Sequence, residues 1–106
     1  MPAYLVAFKF ARNDTYSKRL DNFMLHCAAG QWWGETGSSI IVHADEPLDD
    51  FCRRIFNPAA FDDRVDIAVV FDLDNVDGRA RGKFRDYGLF NIVPWIERVQ
   101  TADALG

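Results

Sequence analysis

The chain has 106 residues, of which 49% are hydrophobic, 14% aromatic and 26% charged, and its formal net charge is −4. That length suits one domain with one real core, and the balance of residue types excludes a disordered or fibrous chain. The acidic balance excludes indiscriminate adhesion of the whole surface to nucleic acid or membrane, so contact with either has to be local.

Tyr4 to Ala11 alternates, with Tyr4, Val6, Phe8 and Phe10 on one side and Leu5, Ala7, Lys9 and Ala11 on the other, which predicts a first strand with one aromatic face. Asp14 stands as the N-cap of a helix over 14–29, whose apolar residues Tyr16, Leu20, Phe23, Met24 and Cys27 recur at helical offsets. Gly30 suits a left-handed stop. Trp32-Trp33, the turn residues Gly34 and Gly37, and the β-branched run from Ser39 to Ala44 predict a hairpin over 32–44. The two tryptophans point to opposite sides of their strand, so one is expected in the core and the other free for a partner surface. Asp45-Glu46-Pro47 opens a second helix over 47–57, with Leu48, Phe51, Cys52, Ile55 and Phe56 as its stripe and Asp49, Asp50, Arg53 and Arg54 placed to suit its dipole.

Val65 to Leu73 alternates again and predicts the fourth strand. Residues 74–88 hold three glycines and many charges and read as an irregular arm, and Pro94 before Trp95, Ile96, Val99 and Leu105 reads as the start of a terminal helix. The order is β-α-β-β-α-β, an α+β chain of ferredoxin-like type: a four-stranded antiparallel sheet with two helices on one face. Residues 1–73 form that core, and 74–106 add a C-terminal arm and helix to the same single domain. The second sheet face carries large apolar residues with little chain left to cover them, so a homodimer through that face or an edge is expected.

No apolar run approaches a membrane span and no secretory signal is read at the amino terminus, so a cytoplasmic protein without membrane contact is expected. Cys27 and Cys52 have no Cys-x-x-Cys spacing and lie on apolar helix faces, as buried reduced thiols do.

Ala-Tyr-Leu-Val-Ala-Phe at 3–8, the helix from Tyr16, Trp32-Trp33, Ser39-Ile40-Ile41-Val42 with Asp45, and Asp63 before the last strand together resemble a family. It is that of the small bacterial SinR-like proteins, in the superfamily of the small nuclease-like CRISPR adaptation subunit and the virulence-associated D endoribonucleases. The resemblance covers roughly residues 3–73 and implies a ferredoxin-like homodimer. In catalytic members it implies an Asp at the end of strand one that helps to bind a divalent ion. This chain has Phe8-Lys9-Phe10 there, and an ammonium offers a metal no lone pair. A nuclease of the family's kind is therefore not expected.

Lys9 is either a phosphate contact or a packed stem whose head reaches water or a neighbouring carboxylate. Arg79, Arg81, Lys83 and Arg85 recur at every second residue beside Phe84 and Tyr87, the best nucleic-acid signal in the chain; a solvated loop or an arm docked on a partner subunit are the alternatives. Asp72 and Asp74 share one side of an extended chain, as an oxygen-ligand pair would need, although carboxylates are common at strand ends. The leading expectation is a non-catalytic homodimer binding RNA, DNA or a protein through Lys9 and the 79–85 arm, with no cofactor. The alternatives are a Mg²⁺- or Mn²⁺-dependent nuclease with its carboxylates moved to Asp14, Asp72 or Asp74, and a purely structural interaction dimer.

Overall fold

The alternation of Tyr4 to Lys9 becomes a strand because one side of it meets two amphipathic helices. A computed structural model describes residues 2–28, 30–57 and 59–99. Its elements are β1 (Ala3–Lys9), α1 (Tyr16–Cys27), β2 (Trp32–Trp33), β3 (Ser39–His43), α2 (Leu48–Ile55), β4 (Ile67–Asp72), β5 (Gly78–Gly82), α3 (Leu89–Ile92) and β6 (Ile96–Arg98). The strands form one sheet in the order β2-β3-β1-β4-β5-β6, antiparallel except for the β5–β6 pair. The chain is thus α+β, with a six-stranded, mostly antiparallel sheet and three helices. Among the described residues no helix is long and apolar enough to cross a membrane.

The main core lies between the sheet and the first two helices. Tyr4, Val6, Ile40, Val42, Ala68 and Val70 face Phe23 and Cys27 of α1 and Phe51, Cys52 and Ile55 of α2. Phe23, Phe51 and Phe56 are 0% exposed, and at about 2–3 kcal/mol for each fully buried side chain they are a large part of the driving force. Phe10, Phe23, Phe56 and Phe61 meet at centroid distances of 5.0–6.1 Å with mostly steep ring angles, the geometry that aromatic quadrupoles favour.

One ion pair is built into this core. The Asp66 side chain is fully buried: Oδ1 accepts the Ala11 amide at 2.9 Å, and Oδ2 accepts the Asp62 amide at 3.0 Å and the Arg19 guanidinium. Arg19 also donates to Thr15 Oγ1, the Ala11 carbonyl and Asn13 Oδ1. Every polar atom of the pair that is taken from water therefore finds a partner, the condition under which a buried ion pair is tolerated. It joins the exit of β1, the start of α1 and the approach to β4.

Several sequence expectations need correction. The sheet has six strands rather than four, because residues 78–82 of the supposed irregular arm pair with β4 and residues 96–98 pair in parallel with β5. The segment after Pro94 is accordingly β6 and not a terminal helix; Leu105 lies outside the described residues. The 83–95 connection, which carries α3, crosses the second sheet face and packs Phe84, Leu89, Phe90 and Val93 on Val69, Ala80 and Ile96. Half of the face expected to be bare is therefore covered. The N-cap of α1 is Thr15 rather than Asp14. Gly30 is not left-handed: the positive-φ glycines are Gly37 and Gly82, and Gly30 is needed because a Cβ there would run into the His43 carbonyl oxygen. Neither tryptophan fills the core, with Trp32 53% and Trp33 48% exposed, since β2 is a two-residue edge strand at the margin of the sheet.

Candidate nucleic-acid interface

The register of β5 decides the fate of the arm's four cations. Arg79 pairs with Val70 and Arg81 with Ala68, so both point to the helix-covered face. Arg79 donates to Asp49 at 2.9 Å and to Asp77 at 2.6 Å, and lies 3.7 Å from Glu97. Desolvation lowers its pKa, but the hydrogen bonds to Asp77 and Asp49 outweigh that and move it upward, so its charge is held. Arg81 donates to Asp63 at 2.8 Å and to the Phe56 carbonyl at 3.1 Å, with its guanidinium over the Phe56 and Phe61 rings. Both arginines are thus engaged inside the molecule.

Gly82 changes the direction of the chain. Its φ is +129°, and a Cβ would press into the Asp66 carbonyl oxygen, so only glycine fits. That carbonyl accepts the Lys83 amide at 2.9 Å, which ties the first residue after β5 to the residue carrying the buried carboxylate. Phe84 then anchors the segment, 5.4 Å from Phe90. Lys83 and Arg85 are left exposed beside Lys9, which ends β1 on the face away from α1 and α2.

Lys9, Lys83 and Arg85 line one cleft of about 500 Å³, together with Ala11, Val65, Ile67, Phe84 and Asp86. Asp86, the one carboxylate in that lining, accepts the Gly88 amide at 2.8 Å. Three cations against one carboxylate, with an aromatic ring in the wall, make an anion-attracting surface on an otherwise acidic protein. None of the three enters an ion pair with a described residue, whereas Arg19, Arg53, Arg54, Arg64, Arg79 and Arg81 all do.

Asp72 and Asp74 stand at the opposite end of β4. Asp72 accepts the Asp74 amide at 2.9 Å and the Asn75 side-chain amide at 3.2 Å, while Asp74 accepts the Ala3 amide at 3.1 Å. Their carboxylates close the turn between β4 and β5 and hold the start of β1 against it. Asp14, the third carboxylate of the nuclease alternative, is exposed in the turn before α1. Among the described residues no group of three or more His, Cys, Asp and Glu could hold a metal ion.

Sequence reasoning found Lys9, Lys83 and Arg85 but not that they share a cleft, because β1 and the arm are joined only through β4. It missed Arg98, which extends the basic surface beside Phe84 and Tyr87. Assigning residues after Pro94 to a helix hid the pairing that brings Arg98 opposite Ala80. In comparisons with known proteins the chain matches no family model, no curated protein and no solved structure.

Proposed function

We propose that this chain is a non-catalytic, homodimeric nucleic-acid-binding module of ferredoxin-like type, cytoplasmic, and akin to the SinR-like proteins and the small CRISPR adaptation subunit. The observation that carries the reading is the cleft formed by Lys9, Lys83 and Arg85, three cations without an internal partner among the described residues, set around Phe84. Ammonium and guanidinium groups displace counterions from phosphates, and such contacts supply most of sequence-independent affinity. The ferredoxin-like part of the reading is supported by the β2-β3-β1-β4 order with α1 and α2 over one face. Lys9 in place of a strand-one carboxylate supports binding without cleavage, as does the use of Asp72 and Asp74 in the β4–β5 turn.

A salt titration of DNA and RNA binding tests it. Changing Lys9, Lys83 and Arg85 together to Ala should flatten the slope of log affinity against log salt by about 2 to 3 units on duplex DNA, at about 0.9 per phosphate. Arg79→Ala should leave that slope unchanged, because its charge is already matched by Asp49 and Asp77. Absence of binding at low salt would overturn the proposal in favour of a structural or protein-binding dimer. Mg²⁺- or Mn²⁺-dependent cleavage abolished by Asp72→Ala or Asp74→Ala would overturn it in favour of a nuclease.

A further inference from the structure

The 500 Å³ cleft is not isolated. Lys83 and Phe84 also line a second cleft of about 430 Å³, bounded by Asp63, Arg64, Tyr87 and Arg98. Its charges are unevenly matched: Asp63 is held by Arg81 at 2.8 Å and Arg64 by Asp62 at 3.0 Å. Lys83 and Arg98 are left with no carboxylate partner among the described residues. The Arg98 guanidinium lies over two rings, 5.0 Å from the Tyr87 centroid and 5.7 Å from that of Phe84. Tyr87 is 51% exposed although it packs against Phe84 and Phe90 at 6.4 and 6.2 Å. An exposed tyrosine and an exposed arginine whose guanidinium lies over its ring thus stand next to the phosphate-attracting cleft.

Resting on the phosphate-binding reading above, we infer that Tyr87 and Arg98 form a base-stacking platform, and that the ligand is single-stranded nucleic acid rather than duplex. Lys9, Lys83 and Arg85 take the phosphates while an unpaired base lies against the Tyr87–Arg98 surface. The restriction to single strands follows from geometry. Bases inside a duplex cover each other's faces, whereas an unpaired base offers its face to an aromatic ring or guanidinium plane. Lys83 and Phe84 line both clefts, so a phosphate held in one and a base lying in the other would share these two residues.

Binding of a labelled single-stranded DNA and of a duplex of equal length, followed by fluorescence anisotropy over a salt series, separates this inference from the reading beneath it. The wild type should favour the single strand. Tyr87→Ala should lower single-strand affinity about tenfold, leave duplex affinity and the salt slope unchanged, and be rescued by Tyr87→Phe. Arg98→Lys, which keeps the charge and removes the plane, should weaken the single strand in the same way; it decides the matter if circular dichroism shows Tyr87→Ala unfolded. Equal binding of both ligands, insensitive to Tyr87→Ala and Arg98→Lys but with a slope still set by Lys9, Lys83 and Arg85, would overturn the platform and leave the phosphate cleft standing. Absence of any binding by the wild type would overturn both.

Discussion

At Cys27 and Cys52 burial has a consequence that pH can reveal. Both thiols are 0% exposed, and desolvation pushes the Cys27 pKa from 9.0 up to about 12 and that of Cys52 upward as well. Tyr4, whose hydroxyl donates to the Glu46 carbonyl at 2.8 Å, moves from 10.0 to about 12, again chiefly by desolvation. The unfolded chain releases the Cys27 proton above pH 9.0, while the folded chain keeps it until about 12. The native state therefore binds more protons in that window, and stability is full below pH 9.0 and falls toward pH 12. Each such group can contribute a slope of up to about 1.4 kcal/mol per pH unit there. Urea denaturation across the window should show a falling midpoint, less steep in Cys27→Ala; a midpoint that stayed flat would contradict this picture of the core.

Among the elements, β5 depends most on a single backbone position. Gly82→Ala should destabilise the protein by about 1–3 kcal/mol or more, because it combines a strained left-handed φ with a collision against the Asp66 carbonyl. It should also weaken low-salt DNA binding, since the turn that directs Lys83 would be displaced; wild-type stability by urea titration would refute the assignment. The first four strands and two helices were readable because alternation, helical spacing and Gly or Pro punctuation agree there. β5 was not, since Gly-Arg-Ala-Arg-Gly has no apolar alternation and becomes a strand only because the edge of β4 is available to pair with it. β6 was disguised by Pro94-Trp95, a helix-start signal that parallel pairing with β5 overrides. Of the candidate site, its residue types were legible, while its grouping required the β1-β4-β5 register that puts Lys9 opposite Ile67 and Ile67 opposite Gly82.

Over the whole molecule, the 83–95 segment covers the β4–β5 half of the second sheet face and leaves the other half bare. Trp33, Ile41 and Leu5 stand in one row of the register across it, ending at Phe71 on the covered side, with Trp33 48% and Ile41 37% exposed. This row is where the proposed homodimer would close. Light scattering should give about twice the 12.1 kDa chain mass, and Ile41→Glu should return the monomer. A wild type that stayed monomeric at every working concentration would remove the dimer from the proposal without touching the cleft.

Asp66 joins these scales. Its carboxylate is locked into the core with Arg19, and its carbonyl holds the amide of Lys83, so one residue belongs both to a buried ion pair and to the rim of the basic cleft. Loosening that rim therefore pulls on a residue whose carboxylate is half of a buried ion pair, and rupture of that pair would strand a charge in the interior. Under the proposed function, a phosphate arriving there would meet a backbone already set, with the ordering cost confined to the exposed Lys9, Lys83 and Arg85 side chains.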